Sequence, residues 1–306
     1  MLLGELSATD VRRRLRDQGL RWAIGPFVVQ LTSDVPALEQ PLRLLYAHHS
    51  LAEEGWERLS DCTIHLAGSR GWRRWLRPQV HFRVSGPSPF APFPRDHALP
   101  HFEWGLNFML ASRSQQYLLL HAAVLARGDR ALILPGLPGS GKSTLAAALA
   151  WRGFRLFSDE FGILRPDTLD LLAAPRPVAL KNDSIDILRR FEPRAVLGPS
   201  FAKTRKGTVA HMAPPVDSVR QAHLPARATW IVVPRFQAGA ATQLEELPPD
   251  QGFLRLAGNA FNYELQGERG FRTVMGLVRH CPFFELTFGN PEAAVARLLE
   301  LSGETP

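Results

Sequence analysis

The sequence predicts an α/β protein that contains more β structure than a plain doubly wound fold. Three observations lead to this class. Short β-type runs recur along the chain, from IGPFVVQLT near its start to FELTF near its end. Helix-type runs such as PALEQPLRLLYAHH and PEAAVARLLEL accompany them. The composition, 306 residues of which 45% are hydrophobic and 21% charged, is that of a globular protein and excludes disorder, collagen and coiled coil.

Residues 1–113 predict an accessory or substrate-recognition domain of α+β type. A helix over VRRRLRD, a strand over IGPFVVQLT, a helix that begins on Pro36, and strands over CTIHLA and QVHFRVS follow one another. The proline-dense segment SGPSPFAPFPRDHALP then predicts an irregular connector, because proline cannot donate a backbone hydrogen bond. After it, the helix EWGLNFMLAS leads to a domain boundary near Ser114.

Residues 114–306 predict a second domain of α/β type. It opens with YLLLHAAVLA and RALILPG, which indicate a hairpin around Arg127-Gly128-Asp129. A Gly-rich loop, an Ala/Leu helix and a strand over FRLFSDEFGIL come next, followed by β-type runs around VAL, GTVAHM and ATWIVVP. The last helix begins on Pro291, with Asn290 as its expected cap.

Residues 136–143 read GLPGSGKS and fit the P-loop pattern GxxxxGKS, between a strand and a helix. The glycines let successive backbone N–H groups turn toward phosphate oxygens, and the helix that follows adds its positive end. We expect Lys142 to hold the β- and γ-phosphates and the Ser143 hydroxyl to bind Mg²⁺. The predicted cofactors are therefore ATP and Mg²⁺, and the predicted nucleotide-binding residues are Gly136, Leu137, Pro138, Gly139, Ser140, Gly141, Lys142, Ser143 and Thr144.

Asp159 and Glu160 stand at the end of the strand that follows the P-loop helix. In small P-loop kinases a carboxylate at this point faces the γ-phosphate and takes a proton from an attacking hydroxyl. We expect Asp159 to be the general base and Glu160 to assist at the metal, so both join Ser143 as candidate Mg²⁺ ligands. Two alternatives stay open: an ATPase pair in which Glu160 polarises water, and a solvated strand end.

Other basic side chains are further candidates. Of the 36 Lys and Arg residues only four are lysines, and two of these fall in the loop Lys203–Lys206. Such a loop suits a transferring phosphate or an acidic acceptor, with Lys206 as a catalytic candidate, although a solvated basic turn is the alternative. Lys181 follows a strand and is a weaker candidate. His121, inside an apolar strand, is either a core residue or a catalytic neighbour of the phosphates.

Net charge and targeting features limit the partners and the compartment that the sequence predicts. The formal net charge is +7, but the basic residues are spread along the chain, so nucleic acid is not expected. The N-terminus lacks the apolar core of a signal peptide, and no run approaches the roughly 18 apolar residues of a membrane span, so we expect a cytoplasmic protein. Cys62 and Cys281 lie far apart, which fits a reducing compartment. Trp56, Trp72 and Trp75 are expected in the core; if exposed, they would offer a peptide-binding surface.

The motifs LHAAVL, GLPGSGKST, FSDEF, RPVALKN and KGTVAH together resemble the HPr kinase/phosphorylase superfamily, and most closely its HprK-related kinase A branch. The resemblance extends over about residues 100–290 and includes EWGLNFMLA and NAFNYELQG. It implies a fold akin to phosphoenolpyruvate carboxykinase, with the P-loop on a mixed sheet. It also implies that Asp159 is the base toward a protein seryl hydroxyl and that His121 lies near the transferred phosphate.

The chain departs from that family in its acidic pair, which is Asp-Glu where the family has two aspartates, and in PVALKND, which replaces the family's EIRGLGI. Its first hundred residues do not resemble the HPr kinase N-terminal domain, so HPr is not the expected substrate. The resemblance implies a peptide or small-protein acceptor, with a PqqD-like peptide-binding protein as a candidate partner. A homo-oligomer is also expected.

The sequence therefore predicts an ATP- and Mg²⁺-dependent kinase that phosphorylates a Ser or Thr hydroxyl of a peptide or small protein. A kinase of small-molecule hydroxyls is one alternative. A nucleotide-gated ATPase that presents the N-terminal domain to a partner, without phosphoryl transfer, is the other.

Overall fold

A computed structural model describes residues 1–52, 58–86 and 88–303 of the chain. Within them the protein is of the α/β class and contains mixed sheets, which confirms the predicted class. None of the helices in these ranges combines the length and the hydropathy that crossing a membrane requires. Trp56 lies outside the described residues.

The N-terminal part forms a five-stranded sheet from β1 (Leu20–Ile24), β2 (Phe27–Ser33), β3 (Cys62–Gly68), β4 (Gln79–Arg83) and β5 (Phe93–Pro94). The strands lie side by side in chain order; β2 and β3 run parallel, and the other neighbours run antiparallel. The accompanying helices are α1 (Ala8–Arg16), α2 (Glu39–Leu45) and α3 (Ala98–Arg113). Short 3₁₀ turns cover Leu3–Glu5, Pro36–Leu38, Gly71–Arg74 and Arg95–His97.

The expectation that the proline-dense segment is wholly irregular is wrong. It contains β5, the turn Arg95–His97 and the first turn of α3. Pro100 fits into that first turn because the first N–H groups of a helix have no partner within the helix.

The expectation that Trp72 and Trp75 belong to the core is also wrong. Trp72 is 69% exposed and Trp75 78% exposed, at the turn between β3 and β4. The Arg74 guanidinium lies 4.8 Å from the centre of the Trp75 ring, so a cation packs against this indole.

The second part is organised around an eight-stranded mixed sheet. Its strands are β6 (Leu118–Arg127), β7 (Arg130–Pro135), β8 (Arg155–Ser158), β9 (Phe161–Leu164), β10 (Asp170–Leu172), β14 (Ala226–Phe236), β15 (Gln243–Glu246) and β16 (Phe283–Phe288). Their order is β10-β9-β6-β7-β14-β16-β15, and β8 also pairs with β6. The pairs β7–β14 and β14–β16 are parallel, whereas β6–β7 and β15–β16 are antiparallel.

A smaller antiparallel sheet lies beside it, in the order β11-β13-β12, from β11 (Val178–Lys181), β12 (Phe201–Thr204) and β13 (Gly207–Met212). The helices of this half are α4 (Lys142–Leu149), α5 (Asp183–Phe191), α6 (Val216–Arg220), α7 (Pro249–Gly258), α8 (Tyr263–His280) and α9 (Pro291–Leu301). Asn290 caps α9 as predicted, because its side-chain oxygen accepts from the Glu292 N–H at 2.8 Å.

Buried apolar side chains form three clusters. The first joins the N-terminal sheet to α3 and includes Phe161 and Ala213 from later in the chain. The second packs α4, α5 and α9 against the central and small sheets, and the third packs α8 against the central sheet. The apolar run of β6 supplies residues to all three, which explains its nearly continuous burial. The domain boundary near Ser114 stays a prediction.

Candidate active site

The P-loop joins β7 to α4, and two of its glycines adopt left-handed backbone angles. Gly139 has φ +88° and Gly141 has φ +92°, a region that glycine enters without steric cost. A Cβ at Gly141 would lie 2.6 Å from Cζ of Phe288, and one at Gly136 would lie 2.8 Å from Oγ of Ser140. The loop therefore requires glycine both for its path and for its packing.

Lys142 begins α4 and is 7% exposed. Its ammonium donates to the Gly136 carbonyl and, at 3.4 Å, to the Leu137 carbonyl, so the side chain lies across its own loop. Burial lowers the Lys142 pKa, while Glu160 and Asp159 raise it. The Ser140 hydroxyl is buried without a hydrogen-bond partner. The left-handed glycine turns, the buried ammonium of Lys142, the unpartnered Ser140 hydroxyl and the positive end of α4 fit a bound triphosphate.

The predicted single strand over FRLFSDEFGIL is wrong: the segment is divided into β8 and β9, and both pair with β6. Ser158 makes the turn between them, because its hydroxyl accepts from the backbone N–H of Glu160 at 3.1 Å and of Phe161 at 2.9 Å. Asp159 and Glu160 therefore project from a turn fixed by their own neighbour. The sequence did not assign this role to Ser158.

Asp159 is 5% exposed, and its Oδ2 accepts a hydrogen bond from the Ala179 backbone N–H at 3.1 Å. Burial, with a further contribution from the Glu160 charge, raises the pKa of Asp159 to about 6 against the opposing effect of Arg176. A carboxyl with such a pKa is mainly ionised at neutral pH and still accepts a proton readily.

His121 on β6 faces Glu160, with Nε2 3.6 Å from Oε1 of that carboxylate. Burial lowers the pKa of His121, and the nearby lysines add to this effect, whereas Glu160 raises it. The Phe261 ring lies 5.2 Å from the His121 ring, centre to centre, and is 44% exposed. His121 thus borders the acidic turn and is only partly buried, which favours the site over the core interpretation.

The segment NAFNYELQG fixes the position of His121 on β6. The His121 N–H donates to the Asn259 carbonyl at 2.5 Å, and the Phe261 N–H donates to the Leu119 carbonyl at 2.8 Å. Asn262, only 2% exposed, accepts from the Leu119 N–H and donates to the Tyr117 carbonyl, each at 2.9 Å. No role for Asn259 or Asn262 could be predicted from the sequence. In the structure, both residues hold β6 in position through these hydrogen bonds.

Buried polar residues lie behind Asp159. Tyr46 donates its hydroxyl to Glu103 at 2.7 Å, and Glu103 lies 3.8 Å from the Arg176 guanidinium. Arg176 also donates to the side chain of Asn107. The motif EWGLNFMLA contains Glu103 and Asn107, and RPVALKN contains Arg176. Sequence reasoning still missed the cluster, because α3, the residue after α2 and the segment before β11 meet only in the fold.

Within the described residues, no group of three or more His, Cys, Asp or Glu side chains is arranged to hold a metal. Magnesium bound together with a nucleotide needs only one or two carboxylates, because phosphate oxygens and water complete its coordination. Asp159, Glu160 and the Ser143 hydroxyl, on the second residue of α4, fit that requirement. Cys62 and Cys281 are buried free thiols and lie outside this set.

A cavity of about 710 Å³ lies at the far end of β7 from the P-loop, lined by Gly128, Trp151 and Arg155 among others. It is therefore separate from the residues described above. No protein-family model matches the chain, and a comparison with curated proteins finds no relative.

Proposed function

We propose that the protein is an ATP- and Mg²⁺-dependent kinase that transfers the γ-phosphoryl group to a Ser or Thr hydroxyl of a peptide or small protein. The motif resemblance to the HPr kinase/phosphorylase superfamily points to the same reaction and to the same P-loop fold. The observation that carries the proposal is the position of Asp159. It is a buried carboxylate with a raised pKa, on the turn after the first strand that follows the P-loop helix, next to Glu160.

Each residue of the site has a task in this reaction. The P-loop amides and Lys142 hold the β- and γ-phosphates and balance their charge. Ser143 and the acidic pair would hold Mg²⁺, which would neutralise phosphate charge and so make the γ-phosphoryl group of ATP more electrophilic. The acceptor hydroxyl loses its proton to Asp159 while its oxygen bonds to phosphorus and the bond to ADP breaks. Glu160 and His121 line the same turn and orient the groups around it.

The burial of Asp159 supports transfer over hydrolysis. The Ala179 N–H holds the carboxylate in one direction, and only 5% of the residue is exposed. A base shielded from bulk water favours an ordered hydroxyl that displaces water from the site. In an ATPase of the alternative type, Glu160 would instead be the residue that activates water.

The test is incubation of the protein with γ-labelled ATP, Mg²⁺ and a mixture of Ser- and Thr-containing peptides. We expect label on peptide with the wild type, strongly reduced label with Asp159→Asn, and a smaller loss with Glu160→Gln. Label in a small hydroxyl compound, and none on peptide, would identify a metabolite kinase instead. Free phosphate as the only labelled product, lost with Glu160→Gln but not with Asp159→Asn, would establish the ATPase alternative.

A further inference from the structure

Three of the four lysines of the chain converge on the candidate site. Lys142 lies across the P-loop, Lys181 ends the strand whose Ala179 N–H holds Asp159, and Lys206 lies in the neighbouring turn between β12 and β13. A chain that uses arginine for nearly all of its positive charge thus has three of its four lysines near one acidic turn. Lys142 belongs to the P-loop, whereas Lys181 and Lys206 lie outside the predicted nucleotide-binding residues.

The backbone of the small sheet places Lys181 close to the candidate base. Ala179, whose N–H holds Asp159, lies two residues before Lys181 on β11. Alternate residues of a strand share a face, and two residues span about 7 Å. The intervening Leu180 packs into the core on the opposite face. Lys181 therefore lies on the same face of β11 as Ala179, about 7 Å along the strand from the residue whose N–H holds Asp159.

Lys206 reaches the same end of the small sheet from the neighbouring hairpin. The Asn182 N–H donates to the Thr208 carbonyl at 2.9 Å, and the Thr208 N–H donates to the Asn182 side chain at 3.0 Å. These two bonds clamp the end of β11 to the start of β13. Lys206, in the turn between β12 and β13, thereby comes close to Lys181; partial burial and the charge of Lys181 both lower the pKa of Lys206.

The aromatic rings next to Lys206 and Arg205 belong to the N-terminal part. Its ammonium lies 5.2 Å from the centre of the Trp104 ring on α3, and the adjacent Arg205 lies 5.8 Å from the centre of the Phe93 ring. Besides burial, the charges of Glu160, Lys181 and Asp159 shift the pKa of Lys142. The charges of Lys181 and Glu160 shift the pKa of Lys206. Lys206 thus stands on the side of the acidic turn that faces the accessory sheet.

The charges on this side are not balanced. The three ammonium groups of Lys142, Lys181 and Lys206 share the carboxylates of Asp159 and Glu160, and Glu160 already pairs with His121. Like charges held close together are unfavourable unless an anion joins them. An acidic side chain of the acceptor would supply that anion. On binding, it would displace water from the ammonium groups of Lys181 and Lys206.

We propose that Lys181 and Lys206 select the acceptor: they bind a carboxylate of an Asp or Glu residue that lies close in sequence to the phosphorylated Ser or Thr. This inference rests on the proposed function and specifies its substrate class as an acidic peptide segment. Bonds between an ammonium and a carboxylate are charge-assisted, so we expect about a tenfold preference for an acidic neighbour.

The experiment uses two sets of synthetic peptides that differ only in whether Glu or Lys flanks a single Ser, with γ-labelled ATP and Mg²⁺. Wild type should label the Glu set about tenfold more, with the difference in KM for the peptide. Lys206→Glu and Lys181→Glu should each reverse the preference toward the Lys set. Arg190→Glu, an exposed position on α5 with the same change in net charge, should keep the wild-type preference.

The outcomes separate the two proposals. Equal labelling of both sets by wild type would overturn the inference and leave the kinase function standing. Loss of ATP affinity in Lys181→Glu and Lys206→Glu, with an unchanged peptide preference, would also overturn it, because the lysines would then serve the nucleotide. Absence of label from both sets would overturn the proposed function itself. Melting temperatures equal to that of wild type would show that the variants are folded.

Discussion

The Asp159 carboxylate and the Ala179 backbone N–H are joined by a hydrogen bond of 3.1 Å. This bond connects the turn after β8, in the central sheet, to β11 in the small sheet. It fixes the direction of a carboxylate that has little contact with water, and it leaves the second oxygen of Asp159 to other partners. The position of the candidate base thus depends on two sheets and on the turn that Ser158 makes.

Removal of the P-loop ammonium should abolish nucleotide binding. We expect Lys142→Ala to weaken the affinity for a fluorescent ATP analogue by at least a hundredfold, because no other group described lies across the loop. Lys142→Arg should restore little, since a planar guanidinium does not fit where a compact ammonium is buried. Titration of both variants against wild type gives the result, and wild-type affinity in Lys142→Ala would refute the P-loop assignment.

Gly141→Ala and Gly128→Ala form a matched pair that isolates the contact with Phe288. Both positions have a positive φ, +92° and +58°, so alanine costs about 1–2 kcal/mol at each. A Cβ at Gly128 meets nothing within 4 Å, whereas one at Gly141 meets Phe288 at 2.6 Å. Urea denaturation should therefore show an additional loss of about 1–3 kcal/mol for Gly141→Ala. Equal losses would show that Phe288 moves aside.

Asn262→Ala should destabilise the protein much more than Asn259→Ala. The Asn262 side chain is buried and pairs with the N–H of Leu119, which the variant leaves without a partner, at a cost of about 1–3 kcal/mol. The Asn259 side chain makes an exposed bond to the Arg255 carbonyl, and its backbone bond to His121 survives the change. Thermal unfolding of the two variants measures the difference, and a larger loss for Asn259→Ala would contradict the assignment.

Glu103 should make the stability of the protein depend on pH. Burial raises its pKa from 4.5 to about 7, against the opposing effect of Arg176. Because the folded-state pKa of Glu103 lies above its unfolded value, the protonated carboxyl contributes its full stabilisation below the unfolded pKa of 4.5. This contribution to the free energy of unfolding is lost as the pH rises through about 7. Unfolding free energies at pH 5 and pH 8 should therefore differ more for wild type than for Glu103→Gln, by up to about 3 kcal/mol.

The control for this pH dependence is Asp167→Asn. The Asp167 side chain is 81% exposed, so this variant should keep the wild-type difference between the two pH values. A Glu103→Gln variant whose stability varies with pH as steeply as that of wild type would show that Glu103 is not the titrating group.

Local patterns were enough to predict the fold class and many of its elements. The hairpin of β6 and β7, the helix after the P-loop, and α9 with its Asn290 cap follow from apolar periodicity and capping residues. The division of β8 from β9 could not be predicted in this way. Both strands pair with β6, and the break between them depends on the Ser158 hydroxyl and on that shared partner.

The site could be predicted only where its residues are close in the chain. The P-loop and the pair Asp159-Glu160 follow from short motifs. The buried contact between Glu103 and Arg176, and the clamp between Asn182 and Thr208, depend on how distant segments pack, which no local pattern records. Exposure was also misjudged: Trp72 and Trp75 have core-type side chains but lie on the surface.

The most direct test of the account is the chemical nature of the transferred phosphate. Wild type and Asp159→Asn would be incubated with γ-labelled ATP, Mg²⁺ and an acidic Ser-containing peptide, and the label would then be treated with acid. The account predicts acid-stable label on the peptide, as expected for a phosphate ester of Ser, and a reduction of about 10²–10⁴-fold in Asp159→Asn. Acid-labile label on the protein itself, or equal peptide labelling by both proteins, would contradict the assignment of Asp159 as the base.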